Sequence, residues 1–384
     1  MQKTCEEINE KIKKGEAVVL TAEEVVRMAA ELSPKEIAAK VDVVTTATFG
    51  AMCSSGCFIN FGHSEPGIRM ESLTLNDVPL FGGIAAVDAY IGATEVAPDN
   101  PRYGGAHLIE ALIRGDRLRL KAQGKGTDCY PKHSVHSSID KNSVNEMIMV
   151  NPRNAYQNYP AAVNSGDRIM YTYMGTLLPR LGNITYSTSG ELSPLLKDPE
   201  LRTIGIGTRV FIGGAQGFVS WNGTQFNTEK PLNEFGLPLS NARTLMLTAD
   251  MKKMDPAFIK AAYFERYGVS LYVGLGIPIP VLDEDIARRV SIANRQIETT
   301  ICDYAQKGHP GIARTTYAQL RSGKVRLNGK DIRTSPLSSL CKARQIAELL
   351  KAQVVSGSFP LAPPIQPLPG FSQVQGLAPE GDTP

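Results

Sequence analysis

The pattern of apolar and polar residues predicts short helices and then a strand near the start of the chain. Thr4 can cap a first helix, whose opening turn is acidic and which ends at Gly15 after two lysines. Thr21, followed by two glutamates, starts a second helix, and Ser33 with the proline after it starts a third. Residues 41–49, VDVVTTATF, are rich in β-branched side chains, which favour a strand.

Further along the chain the pattern predicts both kinds of element. Ile204–Val219 indicates a β-hairpin around a glycine turn, and Pro256–Tyr267 and Leu282–Gln306 carry helical periodicity. Ser338–Gln353 predicts a final amphipathic helix, whereas the glycine-rich residues 50–126 are typical of loops around a sheet. The fold class is therefore α/β with mixed helices and strands, and the strand order stays unknown.

The composition changes near the C-terminus. Residues 1–355 are expected to form one large unit, which can divide into two lobes. Residues 356–384 hold seven of the 25 prolines, four glycines and only two charged residues, which predicts a flexible Pro/Gly-rich tail. The alternative is that its apolar side chains dock on a neighbouring surface.

Charge and hydropathy exclude several functional classes. Among 384 residues, 42% are hydrophobic and 21% charged, so there is enough apolar material to fold. Lys and Arg exceed Asp and Glu by only three, which argues against nucleic-acid or anionic-membrane partners. No apolar run reaches the roughly 18 residues of a membrane span. The first 15 residues lack the apolar core of a signal peptide, and a cytoplasmic location is expected.

Two of the six cysteines lie in loops suited to thiol chemistry. Cys53 follows the predicted strand in a Gly/Ser loop, where backbone N–H groups can favour thiolate. Cys129 lies in GKGTDCYPKHSVH (124–136), a loop with two lysines and two histidines, although Asp128 opposes their effect. The alternative interpretation is that Cys53 and Cys57 are small apolar residues packed under a turn.

The same residues leave a metal site open as an alternative. Cys53 and Cys57 are separated by three residues and His133 and His136 by two, which does not form the paired pattern of a zinc site. Four closely spaced cysteines, as an iron–sulfur cubane needs, are missing. Cys302 and Cys341 are isolated on segments predicted to be helical. Bound metal is therefore not expected.

Three segments resemble the homocysteine biosynthesis protein family of methanogens and anaerobic bacteria. They are EINEKIKKGEAVVLTAEE (7–24), VDVVTTATFGAMCSSGCFINFGHSEPGIRM (41–70) and GTDCYPKH (126–133). The resemblance covers residues 3 to about 355. It implies a sulfurtransferase that makes L-homocysteine from L-aspartate semialdehyde, a sulfide source and two electrons from a small ferredoxin-like iron–sulfur protein. It places Cys53 and Cys129 at the family's two functional cysteines, with Cys129 the essential one, and assigns no role to Cys57.

The chemistry of these residues agrees with that implication. A cysteine persulfide is a nucleophile toward an aldehyde, and a second thiol can complete a disulfide that an external reductant resets. We expect Cys129 to bear the persulfide, Cys53 to resolve it, and His63 or His133 to transfer protons. No tightly bound cofactor is expected. Two alternatives stay open, a non-enzymatic persulfide carrier and a redox protein that binds a metal or iron–sulfur cluster through Cys and His.

Overall fold

The computed structural model describes residues 2–370 and 376–377. It has a mixed α/β fold, as the sequence predicts. The α-helices of the described residues are α1 (Cys5–Lys14), α2 (Ala22–Met28), α3 (Pro34–Lys40), α4 (Gly105–Arg114), α5 (Pro194–Lys197), α6 (Glu284–Val290), α7 (Tyr317–Arg321) and α8 (Leu340–Val355).

The strands are mostly short, and many follow one another without a helix between them. In chain order they are β1 (Val19–Thr21), β2 (Val43–Ala51), β3 (Gly56–Asn60), β4 (Ser72–Leu75), β5 (Val78–Leu80), β6 (Asp88–Gly92), β7 (Val96–Ala97), β8 (Asn100–Gly104), β9 (Leu118–Gln123), β10 (Ser134–Ile139), β11 (Glu146–Asn154), β12 (Ala161–Val163), β13 (Met170–Thr172), β14 (Gly175–Leu177), β15 (Ile184–Tyr186), β16 (Arg209–Ile212), β17 (Ala215–Asn222), β18 (Leu245–Asp250), β19 (Ile259–Phe264), β20 (Gly268–Pro280), β21 (Glu298–Asp303), β22 (Gly311–Thr316), β23 (Lys324–Leu327) and β24 (Lys330–Pro336).

The N-terminal helices form where their capping residues predict. Thr4, Thr21 and Ser33 each accept a hydrogen bond from the backbone N–H of the third helical residue. The carboxylate of the glutamate at that position accepts one from the backbone N–H of the capping residue. These reciprocal bonds satisfy donors that a helix start otherwise leaves unpaired. Gly15 ends α1 in the left-handed conformation, with φ of 72°.

A ten-stranded sheet forms the centre of the molecule and curls back on itself. Its order is β1-β2-β20-β16-β17-β18-β11-β3-β6, with β19 paired to β20. Six steps between neighbouring strands separate β2 from β3, which is about 29 Å in a flat sheet. Only residues 52–55 join these two strands, and four residues span much less than that. The sheet must therefore curl so that the ends of β2 and β3 meet.

Two smaller sheets pack beside the central one. The four-stranded sheet has the order β10-β9-β4-β5, and the six-stranded sheet has the order β22-β21-β12-β15-β24-β23. The central sheet and the six-stranded sheet have separate buried apolar clusters. Helix α8 covers β2, where the Thr45 hydroxyl donates to the Ala347 carbonyl at 3.0 Å. Within the described residues, no helix is long and apolar enough to cross a membrane.

Two of the predicted helices are wrong in whole or in part. Pro256–Tyr267 forms a single 3-10 turn and then β19, which pairs along its whole length with β20. In Leu282–Gln306 only α6 is helical, and the rest includes β21, so that Cys302 lies on a strand. A short apolar segment fits the residue period of a helix and that of a strand about equally well. Pairing with a neighbouring strand then decides which of the two forms. The hairpin within Ile204–Val219 and the final helix α8 are confirmed.

The beginning of the predicted flexible tail is packed against the core. Phe359 is fully buried, Leu361 is nearly so, and Asn9 exchanges hydrogen bonds with the Leu361 backbone at 3.0 and 2.9 Å. Gln366 forms a β-bridge with Ile206. The prediction of an unstructured tail from residue 356 is thus wrong for this part, because the side chains of Phe359 and Leu361 pack into the domain. Residues 371–375 and 378–384 lie outside the described residues.

Replacing Phe359 tests this packing. We expect Phe359→Ala to lower the free energy of unfolding by about 3–5 kcal/mol, because it removes a fully buried aromatic ring. Ile365→Ala is the matched control in the same segment, since Ile365 is 84% exposed; its effect should stay within about 0.5 kcal/mol. Urea denaturation measures both. Equal, small effects would show that the segment does not stabilise the domain.

Lys197 at the end of α5 should make stability depend on pH. Its ammonium is fully buried and donates to the carbonyls of Val290 and Ile292 at 2.8 and 2.6 Å. Burial lowers the pKa of Lys197 to about 7. Between pH 7 and about 10.5 the unfolded chain therefore binds more protons here than the folded one, so stability rises with pH. Lys197→Met removes this titrating group. Between pH 7 and 9 we therefore expect the free energy of unfolding, measured by denaturation, to rise by up to about 2.7 kcal/mol less in the variant than in the wild type. Parallel pH profiles of the two proteins would contradict this.

Candidate active site

A cavity of about 390 Å³ lies where the central sheet meets the six-stranded sheet. One wall is the end of β2 with the turn after it, and the facing wall includes residues that follow β13 and β15. Hydrogen bonds join the two sides near the cavity. The Ser339 amide donates to the Phe49 carbonyl at 2.8 Å, and the Tyr272 hydroxyl to the Leu337 carbonyl at 2.9 Å. Clefts between packed units are common positions for ligand sites.

Cys53 lies in the turn between β2 and β3 and lines this cavity. Buried Asn151 on β11 holds the turn, because its amide donates to the Ser55 hydroxyl at 2.9 Å and its carbonyl oxygen accepts from the Ser54 hydroxyl at 3.4 Å. The Ser55 amide closes the turn on the Met52 carbonyl at 3.0 Å. The loop position that the sequence predicts for Cys53 is thus observed, with the thiol half-buried.

Hydroxyl groups surround the Cys53 sulfur. Its Sγ lies 3.0 Å from the hydroxyl of buried Ser270, and either group can donate the hydrogen bond. The Tyr267 hydroxyl also interacts with this thiol, and burial together with that contact raises the pKa of Tyr267 to about 12. Neutral hydroxyl donors of this kind can stabilise a thiolate or a persulfide anion without a neighbouring cation.

Tyrosines form much of the cavity wall. The rings of Tyr156 and Tyr159 lie 4.8 Å apart, those of Tyr159 and Tyr173 6.3 Å, and those of Tyr173 and Tyr267 6.1 Å. Burial raises the pKa of Tyr156 and of Tyr159. Because Tyr156, Tyr159 and Tyr267 are held in the protonated form at neutral pH, these three side chains offer hydroxyl groups and ring faces without negative charge.

Cys129 lies elsewhere, at the tip of the β9–β10 hairpin. It is exposed, and it is not among the described residues that line the Cys53 cavity. The next residue, Tyr130, packs against Gly67 and stacks on His63 with ring centroids 5.9 Å apart. Gly126 has φ of 75°, and a side chain there would overlap the His133 ring. A glycine is therefore needed for this loop conformation.

The two predicted catalytic cysteines are associated with opposite ends of β3. Cys53 precedes this strand, whereas the Cys129 loop packs against residues that follow it, and a strand of five residues spans about 13 Å. Both cysteines are free, and Cys129 is outside the described lining of the Cys53 cavity, so the structure does not bring the two thiols together in one site. Of the two histidines predicted to transfer protons, His133 belongs to the Cys129 loop and His63 packs against it. Neither lines the Cys53 cavity within the part of the chain described.

The other cysteines are less suited to reaction. Cys57 on β3 is fully buried, and burial raises the pKa of its thiol, which agrees with the apolar interpretation of this residue. Burial also raises the pKa of Cys5 and Cys302. Across residues 2–370 and 376–377, no three His, Cys, Asp or Glu side chains lie close enough together to hold one metal ion.

Sequence reasoning missed the residues that complete the cavity around Cys53. Ser270, Arg153 and the tyrosines come from β20, the end of β11 and several loops, far from Cys53 in the chain. One signal was present, since residues 151–160, NPRNAYQNYP, combine asparagines, an arginine and two tyrosines in a short segment. Polar and aromatic residues in a segment rich in turn formers often line a site.

An accessible thiol at the wall of a cavity, in a turn held by buried polar residues, is typical of enzymes that use cysteine sulfur. The chain belongs to the family described as "Homocysteine biosynthesis enzyme, sulfur-incorporation", whose model matches residues 17–361. It is therefore a sulfurtransferase of homocysteine biosynthesis, as the resemblance implies. The match also extends a few residues into the segment that was predicted to be a tail.

Proteins of three methanogens are similar to this chain over most of its length. An L-aspartate semialdehyde sulfurtransferase of Methanocaldococcus jannaschii is 52% identical over 377 residues, which cover 94% of this chain and 72% of the relative. One of Methanosarcina acetivorans is 48% identical over 371 residues, covering 96% of this chain and 72% of the relative. An uncharacterized protein of Methanothermobacter thermautotrophicus is 29% identical over 330 residues, covering 83% of this chain and 72% of the relative. No solved structure matches the chain.

Proposed function

We propose that the protein converts L-aspartate semialdehyde to L-homocysteine and that the aldehyde reacts in the Cys53 cavity. The observation that carries this proposal is the position of Cys53, a half-buried thiol hydrogen-bonded to Ser270 at the wall of a 390 Å³ cavity. A cavity of that size accommodates a four-carbon amino acid. The names of the two methanogen relatives support the choice of substrate.

The net reaction has a simple balance. One aldehyde, one hydrogen sulfide, two electrons and two protons give one thiol and one water. In our scheme hydrosulfide attacks the Cys129 sulfur of a Cys53–Cys129 disulfide, which gives a Cys129 persulfide and a Cys53 thiolate. The Cys53 thiolate then takes the outer sulfur, which leaves a Cys129 thiolate. The Cys53 persulfide then adds through its terminal sulfur to the aldehyde carbon. The scheme thus gives Cys53 a larger role than that of the resolving thiol expected from the sequence.

The remaining steps release the product. The Cys129 thiolate attacks the Cys53 sulfur, which forms a Cys53–Cys129 disulfide and leaves the transferred sulfur on the substrate carbon. Loss of water gives a thioaldehyde, and two electrons with two protons reduce it to the thiol. The disulfide is then the two-electron oxidant for the next hydrosulfide, whose attack opens it and forms the Cys129 persulfide again. The external electron demand of one cycle is therefore the two electrons that reduce the thioaldehyde. A ferredoxin-like iron–sulfur protein is the proposed external donor.

These steps need the two thiols to come together. Since β3 lies between them, the Gly124–His133 loop must move, or Cys129 of a second copy must reach the cavity. In the scheme His63, whose ring stacks on Tyr130, and His133 move protons at Cys129, where sulfur enters, and the Tyr267 hydroxyl, which interacts with the thiol, does so at Cys53.

The test is anaerobic formation of homocysteine from aspartate semialdehyde, sulfide and a low-potential reductant. We expect product that depends on both the semialdehyde and the protein, detected by mass spectrometry. If the protein becomes labelled with sulfide as a persulfide and yet forms no homocysteine, the proposed activity is wrong and a sulfur-carrier role is favoured. Visible absorbance and metal analysis of the anaerobic protein test the metal-binding alternative separately.

A further inference from the structure

Arg153 is the one charged side chain among the described residues that line the Cys53 cavity. Its Nε donates to the Thr224 hydroxyl at 2.9 Å, and its carbonyl accepts from the Ser54 hydroxyl at 3.3 Å. These bonds fix the arginine at the end of β11. None of the ion pairs formed within residues 2–370 and 376–377 includes Arg153, so its guanidinium has no protein carboxylate there.

A cationic cavity without an acid is suited to a ligand with a carboxylate. Arginine binds carboxylates through two parallel hydrogen bonds, which fixes orientation as well as position. The described part of the wall contains no Asp or Glu for a ligand ammonium. Tyrosine faces can take that place, since cations bind over aromatic rings within about 6 Å of the ring centre. Tyr156, Tyr159 and Tyr173 form such a surface beside Arg153.

We propose that this cavity contains a recognition site for the α-amino-acid group, in which Arg153 binds the α-carboxylate and the Tyr156–Tyr159–Tyr173 wall holds the α-ammonium. This inference rests on the proposed function and names how its substrate is selected. The Tyr156 hydroxyl interacts with Arg153 and also lies near Cys53. A ligand held at Arg153 therefore extends its fourth carbon, the aldehyde, toward the Cys53 sulfur.

Binding of unreactive analogues tests the proposal without turnover. The probes are L-homoserine, with an alcohol in place of the aldehyde, 3-amino-1-propanol, which lacks the carboxylate, and 4-hydroxybutanoate, which lacks the ammonium. With the wild-type protein we expect calorimetry to show homoserine binding about 10- to 100-fold tighter than either truncated probe. In Arg153→Gln the preference over aminopropanol should disappear, and Arg153→Lys should restore part of it.

A matched control separates charge at the site from charge in general. Arg180→Gln removes an exposed arginine that pairs with Asp167, and it should leave all three affinities unchanged. Equal binding of homoserine and aminopropanol by the wild type, or a preference that survives in Arg153→Gln, would overturn the proposal.

The outcome also distinguishes this proposal from the proposed function. If Arg153-dependent binding of homoserine is found but no homocysteine forms, the recognition site stands and the proposed reaction fails. If homocysteine forms and Arg153→Gln leaves the KM for semialdehyde unchanged, the reaction stands and the recognition site fails.

Discussion

Cys53→Ala should abolish homocysteine formation, with a loss of at least about 10³-fold in kcat. The thiol faces the cavity and has a hydroxyl partner at 3.0 Å, so its removal takes away the sulfur that meets the aldehyde. Anaerobic turnover, followed by mass spectrometry of homocysteine, measures the effect. Since Cys53 lies in a turn and only its sulfur is lost, the variant should keep the wild-type unfolding profile.

Cys57→Ala is the matched control for this prediction. It lies four residues away, is fully buried and does not line the cavity in the part of the chain described. We expect turnover within about threefold of wild type, with a stability loss of about 1 kcal/mol. Equal turnover in Cys53→Ala and wild type would show that the reaction does not use this thiol, and equal losses in both variants would point to damage to the sheet.

Cys129→Ala should lower turnover with sulfide by at least about 100-fold while leaving analogue binding unchanged. The thiol is exposed at the hairpin tip and outside the described cavity lining, so it supplies sulfur without touching the bound amino acid. The separate measurements are anaerobic turnover and homoserine calorimetry. Loss of both would place Cys129 in the binding site, contrary to the structure.

Cys341→Ala is the corresponding control, because Cys341 is also exposed but lies on α8. It should keep wild-type turnover.

A third measurement tests whether the Cys53 and Cys129 thiols come together during turnover. During turnover with limiting reductant, peptide mapping should detect a Cys53–Cys129 disulfide, whereas the resting reduced protein should resist forming it because β3 separates the residues. Failure to trap any such disulfide would remove the exchange step and leave Cys53 as the site of aldehyde attack.

Local signals in the sequence were sufficient for several elements. The caps at Thr4, Thr21 and Ser33 and the β-branched run of β2 specify their structures through contacts within a few residues, and the structure confirms them. The position of Cys53 after a strand follows for the same reason. Helix α4 was not predicted, because it begins at a glycine, which is not a typical helix start. Gly105 is needed there since the Gly92 carbonyl at the end of β6 leaves no room for a side chain.

Where the local sequence fitted two structures equally well, only contacts with distant parts of the chain selected one of them. The segments that form β19 and β21 fit a helical period about as well as a strand, and pairing with β20 and β12 selected the strand. Phe359 lies in a proline-rich stretch whose composition favours disorder, and a groove made by distant residues buries it. Composition carries no information about such a groove.

The sequence by itself determined the local folds, the two candidate thiols and, through its motifs, the family. It could not determine which groups share a cavity, because that depends on how a ten-stranded sheet curls and where a second sheet meets it. That arrangement brings Ser270, Arg153 and four tyrosines to Cys53 and leaves Cys129 with His63 beyond the far end of β3. The pairing of functional groups is a long-range property, fixed by packing between segments distant in the chain.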